Sequence, residues 1–560
     1  MPSTCQQCKG DSLKIETSWV SPPLAIGGLD HIGTQAPCVL IYAQLLPGIT
    51  NVTDRARYYS FYPWLIWSFD QRYPKDEAKF VEFFRRADCL FTLISERHAR
   101  VTDRDNERHG VAMVGRNQLL QALDRLEASD KLKLSEYTAQ NSPHRYFKNQ
   151  MGGLGQYYAG TLSDLKLMDV SAKPWYKYTK EYGIPLAEHV DSTIPSDRFW
   201  SVVDSDVVTL DDLDKLDAYC ACRLSESVAE CNVLTDLYFD RNDVYDQEGI
   251  QRRRSLGLIL NLTKFLGDGH DLTESVFRAC TYSGALPGQQ SWAVPDSMQS
   301  TLACWAIYQR NDLMSIACQT ILALALRELE PQDAVNKITY GSVESFAEAF
   351  SHSPAVALVA KKLNADSFGS FLDRLTDSAT PIDAWENAEH EIQVAGRMMK
   401  GWAHGGDAQT LIELSVTVLA LLACRDDLSQ LPYGGVAMPP EALTDYPINL
   451  ASFRARIAAW RTMNFQIFIA DLVMWCLNTH LRVALRKLRQ TGRSTFHLRP
   501  SERGLEVVGE IPPPANTTPR FRQAVQIMRD IGALTRDPLK PNKKTVLSDV
   551  GVKLMEEASA

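Results

Sequence analysis

The chain lacks a G-x-x-x-x-G-K-[ST] phosphate loop, a G-x-S-x-G nucleophile elbow and an H-E-x-x-H zinc helix. ATP hydrolysis of the P-loop type, α/β-hydrolase chemistry and zincin-type proteolysis are therefore not expected. Long apolar runs are also missing. The stretch Leu414–Ala423 is far shorter than the ~20 residues a spanning helix needs, and Phe465–Leu477 is interrupted by Gln466 and Asp471. Both read as buried helices of a large core, and no membrane association is expected. The start, Met1 to Gly10, has no basic n-region followed by an apolar core, so no secretory leader is expected. There is no internal repeat and no low-complexity tract. Cysteine is sparse, at 12 in 560 residues, and most cysteines, such as Cys280, Cys304, Cys318, Cys424 and Cys476, sit in apolar helical text. Such thiols act as small buried hydrophobes, which suits a reducing cytoplasm.

What is present is ordinary globular material, with 45% hydrophobic and 23% charged residues. Long helical blocks with few alternating strands point to a mainly α, multidomain fold: a helical body with small winged-helix-like α/β elements, the clearest at the C-terminus. Four regions are expected. Residues 1–170 form a mostly helical N-terminal domain with a winged-helix-like end near Leu154–Met168, where Tyr157, Leu162, Leu165 and Leu167 would be core. Residues 200–430 form a helical middle region, residues 445–491 one long helix, and residues 492–560 a basic winged-helix-like domain. Val39-Leu40-Ile41-Tyr42 reads as a short strand, residues 170–200 as loop, and Gly434-Gly435 with Pro439-Pro440 as a linker.

In the tail, Thr518 suits a helix N-cap and Pro519 the first helical position. Phe521, Val525, Met528 and Ile531 repeat at helical spacing, and Gly532 suits the stop. Leu534–Arg536 and Thr545–Leu547 read as strands around a basic wing, and Ser548 as the cap of a last helix. The formal net charge of −9 argues against nucleic acid only as a total. From Arg482 to Lys544 there are 14 basic and 5 acidic residues, or +9, which leaves −18 for the rest. A basic winged helix of this kind is expected to contact the DNA backbone through Arg520, Arg522, Arg536, Lys540, Lys543 and Lys544. The same cations could instead dock onto the acidic body.

Few constellations carry chemistry. Cys5-x2-Cys8 is half of a zinc knuckle without a second half, and Cys220-x-Cys222 with Cys231 falls in helical text where residues 220 and 222 would face different sides. A structural zinc needs four ligands, so no metal and no cofactor is expected. Arg104 to His109 resembles the Arg-x4–6-His signature of the helical ribonucleases called HEPN domains, and Arg397 to His404 fits its longest spacing. The resemblance implies a histidine acid–base and an arginine that stabilises phosphate. Chance alone predicts about two such pairs in this composition, and two are found. Glu386, Glu389 and His390 could share a helix face, most simply a solvated one. Asp211-Asp212 suits the acidic start of a helix.

One block is specific. Pro47-Gly48, six residues, then Arg55-Ala56-Arg57-Tyr58-x-x-Phe61-x-Pro63-Trp64 resembles the N-terminal signature of an uncharacterised bacterial anti-phage defence-island family, the Azaca type. Looser similarity around Gly155–Leu162 extends over the first third of the chain. The resemblance implies a defence role beside helicase and nuclease partners, and supplies no catalytic residues. Read from the residues alone, Arg55 and Arg57 stand at the entrance of an aromatic helix, where they bind a phosphate or act as a structural clamp on internal acids. The expected function is an accessory, non-catalytic defence component contacting DNA and partner proteins. The alternatives are a ribonuclease acting through Arg104 and His109, or a protein-interaction scaffold without nucleic-acid contact.

Overall fold

The computed structural model of the chain describes residues 30–560 apart from 75, 103–108, 111–112, 331–338, 428–445, 503 and 538–543. Helix accounts for 65% of the described residues. The strands of the described residues form five two-stranded antiparallel sheets, each a short hairpin or clip. The fold class is mainly α, as the periodicities imply. One contiguous cluster of buried apolar side chains runs from Ile32 to Ala558.

The first described helix, Gln35–Leu45, contains the stretch that reads as a strand. Its start is fixed from outside: the Asp30 carboxylate accepts the backbone N–H groups of Thr34, Gln35 and Ala36 at 3.0–3.2 Å, three of the orphan donors of a helix N-terminus. Tertiary packing then overrides β propensity. Tyr42 meets Tyr308 edge-on at 5.9 Å, on the 31-residue helix Gln299–Leu329 that runs through the middle of the fold. Residues 170–200, which read as loop, hold the helices Gly183–Thr193 and Ser196–Ser205. The single helix expected over 445–491 is two among the described residues, Leu450–Trp460 and Phe465–Thr491. Asn464 breaks it by capping the second helix through Ile467 N–H at 2.8 Å, while Phe465 N–H bonds to the Asp366 carbonyl. The Gly434-Gly435 and Pro439-Pro440 linker and the Cys5–Cys8 pair lie outside the described residues. The helices Ala408–Asp427 and Phe465–Thr491 are long and apolar enough to cross a membrane by composition, and here 67% and 61% of their apolar windows are buried within the protein.

The tail folds largely as its pattern implies. Leu534–Arg536 pairs antiparallel with Thr545–Leu547, and Ser548 Oγ caps Asp549–Ser559 through Gly551 N–H at 3.1 Å. The helix before the hairpin begins at Phe521 rather than at Pro519. Arg520 takes a left-handed backbone, φ +59°, and its guanidinium reaches the Leu46 carbonyl at 2.8 Å and lies over the Tyr42 ring. These contacts hold a conformation that costs a non-glycine residue energy. Phe521 stacks on Phe277 at 4.9 Å. A Cβ added at Gly257 would sit 2.6 Å from the Ala558 Cβ, so that glycine lets the last helix seat closely on Asp246–Phe265. The tail shares the body's core.

The middle of the body is tied by a buried carboxylate. Glu391 accepts two hydrogen bonds from Arg425, at 2.8 and 2.9 Å, and one from Tyr282. Burial alone would push the Glu391 carboxyl up, but the Arg425 hydrogen bonds and the neighbouring His390 outweigh it and hold it below the ordinary glutamate range. Glu391→Gln should therefore destabilise the protein by about 3–5 kcal/mol near neutrality by stranding Arg425. A depressed carboxylate contributes its stability above the ordinary glutamate pKa and loses it as pH falls through the folded value. Urea midpoints of the parent and Glu391→Gln should thus differ at pH 7 and converge in acid. A difference that is constant with pH would contradict this.

Candidate metal centre

Three separated stretches converge at one end of the helix Glu77–Thr102. His98 lies in its last turn, and His109 follows in a turn just beyond residues 103–108. Cys220 and Cys222 come from the segment after Leu210–Lys215, which is not α-helical. Cys220 (φ −53°, ψ 134°) is an extended residue between two short 3₁₀ turns, Asp217–Tyr219 and Ala221–Glu226. An α-helix would place residues two apart on different sides. The extended kink at Cys220 instead turns both thiols the same way.

The cysteine sulfurs stand 3.5 Å apart. Cys222 Sγ is 3.4 Å from His98 Nδ1, which is 3.0 Å from His109 Nε2. All four atoms lie within 4.8 Å of one another. With Zn–S of about 2.3 Å and Zn–N of about 2.0–2.1 Å, the edges of an S₂N₂ tetrahedron are about 3.3–3.8 Å, close to these separations. Cys220, Cys222 and His109 are buried and His98 is partly exposed. Burial alone would raise the Cys220 thiol, but hydrogen bonds with Cys222, His109 and His98 outweigh it and hold the thiol well below its ordinary value. Four protein ligands close the coordination sphere, which is the pattern of a structural zinc and leaves no position for a metal-bound water or substrate.

The two arginines of the specific sequence block hold the ligand-bearing turns. Arg55 Nη1 donates to the His109 carbonyl. Arg57 Nη1 donates to the carbonyls of Ala218 and Cys220 at 2.5 and 2.9 Å. Each arginine also closes on an internal acid. Arg55 forms a bidentate pair with Asp530 of the tail at 2.9 and 3.0 Å, and Arg57 reaches Glu230 at 2.9 and 3.3 Å. Glu230 and Asp530 are both buried. The Ser95 hydroxyl receives the Ala221 N–H, tying the helix of His98 to the cysteine turn.

The other residues singled out in the sequence are dispersed. Arg104, Lys540 and Lys543 lie outside the described residues. His109, the proposed acid–base, is buried with its Nε2 against His98. Arg397 and His404 are seven residues apart along one helix, about 10 Å of rise, and each bonds to a local carbonyl. Glu386, Glu389 and His390 share no helix face, since residues 381–389 form turns ahead of the helix Glu391–Ala403, which His390 caps. Arg520 is committed to Leu46 and Tyr42, and Arg522 pairs with Asp54 at 3.0 Å. Lys544 is buried and donates to the carbonyls of Leu266 and Gly267, at the end of the helix Asp246–Phe265. Arg536 faces a cavity. The expectation that Cys220 and Cys222 face apart is corrected by the 3₁₀ geometry, and Cys231 does not join them: its thiol points to the Ile531 carbonyl. The reading that no metal is expected missed all four ligands of this cluster, His98, His109, Cys220 and Cys222. The only sequence signal was a C-x-C pair and two histidines eleven residues apart, in none of the usual zinc spacings.

Cobalt(II) added to metal-free protein should give the visible d–d bands of a tetrahedral thiolate–imidazole site, at one equivalent per chain. Cys222→Ser and His109→Ala should each abolish them, and the parent should retain one zinc per chain through gel filtration. Bands that survive both substitutions would place the metal elsewhere.

Comparison of the chain with protein-family models, with curated protein sequences and with solved structures finds no match.

Proposed function

We propose that the protein is an accessory, non-catalytic component of a bacterial anti-phage defence system. In this reading zinc at His98, His109, Cys220 and Cys222 staples a helical body that docks partner proteins of the helicase and nuclease type, and exposed cations of the C-terminal third meet DNA. One observation carries the reading. The block that resembles the defence-island family supplies the two arginines that lock the four-ligand cluster and the tail into one body. A closed, mostly buried set of four ligands suits a structural role better than a reaction centre. None of the ten described cysteines is in a disulfide, which suits a reducing compartment.

The DNA part shifts from the residues first singled out. Arg520 and Lys544 spend their charge on internal carbonyls, whereas Arg482, Arg489 and Arg493 are exposed along the last turns of the helix Phe465–Thr491 and just beyond it, and Arg499 is exposed on the strand that follows, beside Glu506 at 3.4 Å. Deleting the tail is a poor test, because Phe521, Met528 and Leu554 are core residues. The test is instead the fourfold substitution of these arginines by glutamine. The parent should bind duplex DNA without sequence preference. The variant should bind more weakly, with a log–log salt slope shallower by about 0.9 for each phosphate it no longer neutralises. Equal binding by variant and parent, or no binding by the parent, would leave the scaffold reading and sink DNA contact.

A further inference from the structure

A cavity of about 850 Å³ opens beside the cluster, between the Val228–Phe239 helix and the tail, with Cys222 in its wall. Its size is that of a small-molecule site. Its charges do not balance. Arg241 is neutralised by Asp236 and Glu557 at 3.0 and 2.8 Å. Asp530 also lines the cavity, but its oxygens are taken by Arg55, Ala56 N–H and Gln526. Arg529 and Arg536 have no carboxylate partner among the described residues. Arg529 donates only to the Thr545 hydroxyl, at 3.2 Å, and the Nε of each arginine is buried without an acceptor. Burial first, and then the adjacent Arg536, push the Arg529 guanidinium down, and Asp271 and Asp530 offset this only in part. Two partly buried guanidiniums with unpaired Nε groups offer a bound anion hydrogen-bond donors as well as charge, and paired arginines match a phosphate in geometry. Lys553 stands on the same wall. Val228 and Val550 also line it, and are 67% and 47% exposed, so apolar surface is open to a ring there.

We infer that this cavity binds a phosphate monoester of nucleotide size, with the phosphate between Arg529 and Arg536 and the remainder against Val228 and Val550. The inference stands on the cavity alone and does not depend on DNA contact through the exposed arginines.

The test is calorimetric titration of the full-length protein with adenosine 5′-monophosphate, inorganic phosphate and adenosine. The monophosphate should bind saturably and at least tenfold more tightly than either fragment. Arg529→Gln and Arg536→Gln should each weaken it at least tenfold. Lys553→Gln, at an exposed rim position that the core does not need, should weaken it several-fold. Arg529 is only partly buried and makes no ion pair with a carboxylate among the described residues, so the ligand-free Tm of Arg529→Gln should stay close to that of the parent, which separates lost binding from lost folding. A 5′-phosphorylated oligonucleotide that outcompetes the mononucleotide would keep the site and name a strand end as its source; competition by the mononucleotide alone would keep it and name a small molecule. No binding of the monophosphate, equal affinity for phosphate and monophosphate, or affinity unchanged by Arg529→Gln and Arg536→Gln would each overturn the inference. Loss of DNA binding in the fourfold arginine variant with monophosphate binding intact would show the two sites to be independent.

Discussion

The ion pair between Arg55 and Asp530 joins residues 475 apart in sequence, and the arrangement of the candidate metal centre depends on it. Both side chains are almost fully buried. Taking two charges out of water is costly, and such a pair adds little net stability over an apolar contact, but breaking it by removing one partner costs about 3–5 kcal/mol. Burial pushes the Asp530 carboxyl up while Arg55 pulls it down. What the pair contributes is specificity: one geometry satisfies Arg55, Asp530, the Ala56 N–H, Gln526 and the His109 carbonyl together. Arg57 repeats the device toward Glu230 and the cysteine turn. Two arginines separated by one residue thus address the N-terminal helices, the middle of the chain and the tail.

Metal and clamp are coupled by this arrangement. The turns that carry His109 and Cys220 have no regular ladder of their own, and their carbonyls are held by guanidiniums that are themselves held by buried acids. Groups that orient metal ligands in this way commonly change metal affinity by about 10–100-fold when altered. A metal would in turn stabilise the folded state by its binding free energy. The wall of the neighbouring cavity includes one ligand, Cys222, and the residue after Arg529 is the clamp's Asp530. An anion that settles Arg529 would therefore act one residue away from the joint.

The sequence carried the helical class, the hairpin and capped helix of the tail, and the acidic helix start at Asp211-Asp212, where the structure adds a capping box between Thr209 and Asp212. These are local signals: periodicity, turn residues and short polar side chains at helix starts. Other features were set by contacts far away in sequence. The helix over Val39–Tyr42 is started by Asp30 and packed on Tyr308, and the break at Asn464 is fixed by Asp366 and Met463. The metal cluster was illegible for the same reason. Its ligands come from positions 98, 109, 220 and 222, and the two thiols meet only because Cys220 is extended between 3₁₀ turns. Charge counting found the basic tail but could not tell the committed Arg520 and Lys544 from the exposed Arg482 and Arg489, since that division is made by burial.

The central claim is that the arginines of the specific block position the metal ligands. Its most direct test is the zinc affinity of Arg57→Lys, measured by competition with a chromophoric chelator. Lysine keeps the charge facing Glu230 but loses the fork that reaches the Ala218 and Cys220 carbonyls at the same time. The account predicts a dissociation constant about 10–100-fold weaker than the parent's, in a protein with unchanged helical content. Zinc affinity equal to the parent's would contradict it.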